Sequence, residues 1–163
     1  MLVTPKIRSN ICLNAHPAGC AQEVRRQIEY VKAKKAARAG ITSDAGLRSD
    51  DGPRFVLVLG CSTGYGLASR IAAAFEFGAD TIGVSFEKEA TQVKGGTPGF
   101  YNNKAFDRAA AKDGLKSVTF NADAFSDECR ATVIEEVKKW GTKFTLSQAL
   151  SAQILTQRFS TSL

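Results

Sequence analysis

Residues 54–78 read RFVLVLGCSTGYGLASRIAAAFEFG. Arg54 to Leu59 is almost wholly apolar, the texture of a strand buried on both faces, and such strands belong to parallel sheets. Leu67 to Phe77 is alanine-rich and predicts a helix, with Gly78 as its C-terminal stop. Between strand and helix lie Gly60, Gly64 and Gly66. Gly60, Gly64 and Gly66 fit G-x-x-x-G-x-G, and Gly64, Gly66 and Ser69 fit G-x-G-x-x-small. Both patterns describe a chain that leaves a strand abruptly, which glycine permits through positive φ. A missing Cβ lets a pyrophosphate approach the backbone, and the following helix offers unpaired N–H groups and the positive end of its dipole. A P-loop is excluded, because no Gly-Lys-Ser/Thr follows the turn.

Downstream, Thr81–Phe86 predicts a second strand and residues 87–99 a glycine-rich loop. Residues 102–113 predict a helix stopped by Gly114, and Ser117–Phe120 a third strand. Ser126 is placed to cap a helix over 127–139, with Asp127 and Glu128 in its first turn. The alternation of strand and helix predicts an α/β fold: a Rossmann-like open parallel sheet with helices on both faces, incomplete at about three to four strands. Upstream, residues 1–18 read as extended and irregular, with Pro5 and Pro17 as breakers. Val24, Ile28 and Val31 set a helix over 20–39, and 40–53 is a polar loop. The expected organisation is an N-terminal extension (1–53), a dinucleotide-binding half-domain (54–140) and a divergent tail (141–163).

Two further positions fit a dinucleotide site. Glu87 follows the second strand, where a carboxylate can accept both hydroxyls of an adenosine ribose and repel a 2′-phosphate. This favours NADH over NADPH, although Lys88 beside it offers a cation to that phosphate. Asp123 and Ala124 follow the third strand, where an acid can accept from the adenine amino group and a small residue leaves room for the ring.

Composition narrows the remaining classes. With 163 residues, 44% hydrophobic and 23% charged, the chain can bury a core of its own. No apolar run reaches the roughly 20 residues of a membrane helix, and no secretory leader is visible. The four cysteines are scattered, which predicts reduced thiols and a cytoplasmic location. Cys12, His16 and Cys20 are evenly spaced but lack a fourth ligand nearby, so no metal site is expected. The net charge of +6 is concentrated between Arg25 and Arg48. No aromatic ladder accompanies it, so it reads as a solvated helix face rather than a nucleic-acid surface.

Taken together, several stretches resemble the FabV-like trans-2-enoyl-CoA and enoyl-acyl-carrier-protein reductases. They are Pro5-Lys6-Ile7-Arg8, Ala15-His16-Pro17 with Gly19-Cys20, Gln27–Lys32, and Val58–Ala74 (VLGCSTGYGLASRIAAA). Phe86-Glu87, Gly99-Phe100-Tyr101-Asn102 and Asn121–Glu128 (NADAFSDE) complete the set. The resemblance implies NADH as reductant and reduction of the 2,3 double bond of an enoyl-CoA or enoyl-ACP in fatty acid synthesis. It implies that Gly60, Cys61, Ser62, Thr63, Gly64 and Tyr65 hold the pyrophosphate. Phe86 and Glu87 would flank the adenosine ribose, and Asp123 and Ala124 the adenine.

The same resemblance exposes departures. The family has a fourth, strongly apolar strand under the nicotinamide, whereas Gly141–Gln148 (GTKFTLSQ) is less apolar. Residues 141–163 are rich in Ser, Thr and Gln, which suggests a truncated, mis-spliced or frame-shifted product. The family's proton donor is a tyrosine with a lysine nine positions later. None of Tyr30, Tyr65 or Tyr101 has that partner, so no catalytic residue is assigned and this polypeptide is expected to be inactive alone. Tyr30 and Lys34 match a Tyr-x-x-x-Lys spacing, but they lie upstream of the phosphate loop and are read as coincidence.

Overall fold

A computed structural model describes residues 6–9, 11–12, 15–39, 55–92, 94–140 and 145–146. Its centre is a sheet in which β3 (Phe55–Leu59) pairs in parallel with β4 (Asp80–Ser85), and β4 with β5 (Ser117–Asn121). A short β6 (Thr145–Leu146) pairs in parallel with β3 on its other side, giving the order β5-β4-β3-β6. The Rossmann-like parallel sheet is as expected. The stretch 141–148, read as too polar for a central strand, nevertheless supplies β6, with Thr145 opposite Val56 and Leu146 opposite Leu57. The breaker at Pro5, the polar loop expected over 40–53 and the divergent tail beyond Leu146 lie outside the described residues.

Alternation along the strands sends side chains to two different layers. Leu57 and Leu59 of β3 and Ile82 and Val84 of β4 bury against Cys129, Val133 and Trp140 of α4 (Asp127–Trp140). On the opposite face Val56 and Val58 meet Ala73 and Ala79. Ser126 Oγ accepts the Cys129 amide at 3.1 Å, so the expected cap of α4 is made.

The helix after the glycine turn begins at Gly64 rather than Leu67. It runs as α2 (Gly64–Ile71) and widens into a π-helical turn, Ala72–Glu76. Its surroundings give a physical reason for the widening. Ala73 faces the sheet, while Ala74 and Phe75 face Val24, Ile28 and Phe106 in a second helical layer. An element sandwiched between two layers must bury adjacent residues on opposite sides.

That second layer consists of α1 (Pro17–Ala39) and α3 (Pro98–Lys112). Val24 and Ile28 are buried there as the spacing predicts, each contributing about 1.5–3 kcal/mol. Two prolines start helices. Pro17 does not break the chain but opens α1, and Pro98 opens α3 four residues before the expected start. At a first helical position proline has no N–H to waste and its φ is already helical. His16 caps α1, its Nδ1 accepting the Gly19 amide at 3.0 Å. Upstream, the chain expected to be extended and irregular is extended but regular enough to pair, β1 (Ile7–Arg8) lying antiparallel to β2 (Ile11–Cys12).

Candidate dinucleotide site

The parallel register brings the carboxyl ends of β3, β4 and β5 to one edge, with Leu59 opposite Val84 and Ser85 opposite Asn121. The segments 60–66, 86–87 and 122–124 leave from that edge. In open α/β sheets, ligands bind in the crevice at this end.

The first segment has the geometry its glycines imply. Gly60 and Gly64 adopt φ of 72° and 52°. Gly64 faces open space where a side chain would stand, and a Cβ on Gly66 would collide with the Gly60 carbonyl. Cys61 and Ser62 are buried beneath the turn, whereas Thr63, Gly64 and Tyr65 are exposed above it. Thr63 sits at the N-cap of α2 in extended conformation without capping it, and the first turn of α2 holds no acidic residue. The positive end of the helix therefore faces the crevice uncompensated by protein charge. These features form a cradle of main chain that fits a pyrophosphate.

Glu87 is held more firmly than a solvated strand-end residue. Its Oε1 accepts the Ser62 hydroxyl at 2.6 Å, and its Oε2 accepts the Thr97 hydroxyl. The Glu87 amide donates to Asn121 Oδ1 at 2.7 Å, and the Asn121 Nδ2 donates back to the Glu87 carbonyl at 3.0 Å. Phe86 is 81% exposed beside it, just outside β4. At the third strand, Asp123 Oδ1 accepts the Phe125 amide at 2.9 Å, which orders the turn, and Ala124 packs against the core below. The predicted residues thus line one edge from three consecutive β–α turns.

Arg70, to which the sequence pattern assigns no role, is fully buried against the sheet, reaching Thr81 and Ser117 near the amino ends of β4 and β5. Its guanidinium donates to Thr119 Oγ1 at 2.8 Å, Ser117 Oγ at 2.9 Å and the Val118 carbonyl at 3.1 Å, and pairs with Asp107 at 3.2 Å. It lies 4.3 Å over the Phe106 ring. Asp107 in turn accepts from Ser117 and Thr119. Asn103 joins the site's underside, donating to Ser85 Oγ at 2.8 Å, and Asn102 Nδ2 donates to the Ser62 carbonyl at 3.0 Å. The available signal was the place of Arg70 in the turn between Leu67 and Ile71, on the face that α2 buries. Burial pushes the Cys61 thiol above its ordinary range, against a smaller lowering by the Arg70 charge. Tyr30 and Lys34 lie on α1, with the Lys34 ammonium over the exposed Tyr30 ring.

The family model for the NAD(P)H binding domain of trans-2-enoyl-CoA reductase matches residues 2–92, and that for the enzyme's catalytic region matches 94–147. The chain belongs to the trans-2-enoyl-CoA reductase family. It is 60% identical over 146 residues to the trans-2-enoyl-CoA reductase [NADH] of Treponema denticola, covering 90% of this chain and 35% of that protein. It is 52% identical over 139 residues to the enoyl-[acyl-carrier-protein] reductase [NADH] of Edwardsiella ictaluri, covering 85% and 32%. The crystal structure of the Treponema denticola reductase in complex with NAD superposes with a TM-score of 0.77, over 88% of this chain and 34% of that one. The Clostridium acetobutulicum reductase in complex with NADH, 39% identical, gives 0.76 over 93% and 35%. The chain spans about a third of the length of the curated relatives it matches. Among the described residues, no helix is long and apolar enough to cross a membrane.

Proposed function

We propose that this chain is the cofactor-binding part of an NADH-dependent reductase of trans-2-enoyl thioesters, carried on CoA or acyl carrier protein and acting in fatty acid synthesis in the cytoplasm. In this reading Gly60 to Gly66 seat the pyrophosphate, Phe86 and Glu87 flank the adenosine ribose, and Asp123 and Ala124 receive the adenine. NADH held by these residues would supply the hydride for Cβ of the enoyl thioester, and their part would be to bind and orient it.

The observation that carries the reading is the bare main chain between β3 and α2. Gly64 stands at positive φ under open space, and Gly66 is packed against the Gly60 carbonyl with no room for a Cβ. Packing within the turn accounts for Gly66, but not for the left-handed Gly64 under open space, and it is that bare main chain that suits a pyrophosphate.

Calorimetric titration with NADH tests this. The chain is expected to bind NADH, and Gly66→Val to weaken binding by about tenfold or more, since one displaced backbone element removes the fit on which oriented binding depends. Absence of any heat of binding to the unmodified chain would refute the assignment.

A further inference from the structure

We infer that Thr97 is a positioning residue for the adenosine end of the cofactor: with Ser62 it locks the Glu87 carboxylate in place and so sets the preference for NADH over NADPH. This rests on the cofactor reading above but assigns a role to a residue outside it.

Thr97 stands at the N-cap of α3, where a threonine hydroxyl ordinarily accepts an amide of its own helix. It makes no such bond here. Its hydroxyl proton goes to Glu87 Oε2, while the Lys88 carbonyl is a distant second partner at 3.4 Å. The other carboxylate oxygen takes the Ser62 hydroxyl at 2.6 Å, and the Ser62 carbonyl is itself held by Asn102. A wall closes the seat: Gly99 is buried, and a Cβ there would strike the Glu87 carboxylate and lie 2.7 Å from Ser62 Cβ. Asn121 grips the main chain of Glu87 on both sides. The residue is therefore fixed from the phosphate loop, the start of α3 and the end of β5 at once.

The arrangement has a consequence for specificity. A carboxylate offers about four lone-pair sites. Two are occupied by Ser62 and Thr97, which leaves others for ribose hydroxyls without releasing either hold. A free glutamate would meet a 2′-phosphate by rotating away, and little would be lost. A pinned glutamate cannot retreat without breaking charge-assisted bonds, so the phosphate meets a fixed negative charge.

The test compares Kd for NADH and NADPH, by calorimetry on the whole chain, in the unmodified protein, Thr97→Val and Thr97→Ser. Thr97→Val keeps the shape, and loses no helix-cap bond because none exists. It is expected to weaken NADH binding and to narrow the NADH-to-NADPH preference by about threefold or more, the size of one released hydrogen bond. Thr97→Ser is expected to restore both. Gly99→Ala, which pushes the carboxylate from the opposite side, is expected to narrow the preference in the same way and serves if Thr97→Val does not fold. An unchanged ratio in Thr97→Val or, where that variant does not fold, in Gly99→Ala, with NADH still bound by the unmodified chain, overturns the inference and leaves the cofactor reading standing. Binding of neither nucleotide by the unmodified chain overturns both.

Discussion

Arg70 is a full positive charge taken out of water, and its tolerance there depends on how completely it is answered. Thr81, Ser117, Thr119 and the Val118 carbonyl accept from it, and Asp107 balances it. Gly83 belongs to the same arrangement, since a Cβ there would lie 2.5 Å from the guanidinium. Removing the arginine strands these acceptors, and buried pairs broken on one side cost about 3–5 kcal/mol. Asp107 retains 32% side-chain exposure, so water can take over part of its charge. Arg70→Met is therefore expected to lower stability by roughly 2–3 kcal/mol, read as a lower urea midpoint with an unchanged slope. Asp107→Asn, which leaves a fully buried guanidinium with neutral acceptors but no counter-charge, is expected to cost at least as much. The glycines at 60, 64 and 66 were legible because bare backbone has few other uses beside a strand. Arg70 was not, because a lone arginine within an alanine-rich helix has the same spelling whether it faces water or a polar pocket.

At the scale of elements, apolar content, spacing and stop or cap residues located the three long strands and the four α-helices of the described residues, while the ends drifted where one residue type serves two roles. Pro98 and Gly99 spell a loop, yet Pro98 opens a helix and Gly99 makes room for Glu87. The π turn at Ala72–Glu76 was invisible because it arises from burial on two sides, a property of the neighbours. The last turn of α4 allows a direct test. Trp140 is the chain's single tryptophan, and its indole N–H donates to Glu136 at 2.7 Å. That bond, with Lys139 close by, holds the Glu136 carboxyl below its ordinary range. A depressed folded-state value means the contribution is complete above the ordinary glutamate pKa and is lost as pH falls through the lower, folded one. Trp140 emission is accordingly expected to titrate with a midpoint below the ordinary glutamate pKa. Glu136→Gln should abolish that step; its persistence would show that another group produces it.

For the whole molecule, the decisive relation is between what the 163 residues contain and what the proposed reaction requires. The site edge carries a main-chain cradle, a fixed carboxylate and an ordered turn at Asp123, all suited to holding one end of a dinucleotide. None of Tyr30, Tyr65 or Tyr101 has a lysine nine positions later, the pair that the family resemblance names as proton donor. Binding and turnover should therefore separate in this polypeptide. Because a ligand that binds only the folded state stabilises it by mass action, NADH at about a hundredfold its Kd should add about 2.7 kcal/mol and raise the melting temperature. The same preparation, given NADH and crotonyl-CoA, is expected to show no loss of absorbance at the nicotinamide band above the rate without protein, since hydride transfer needs an organised acceptor and a proton donor as well as a held reductant. NADH-dependent stabilisation together with turnover would place a competent donor within these residues, and Tyr65, in the glycine turn, and Tyr101, in the first turn of α3, would be the first to replace by phenylalanine.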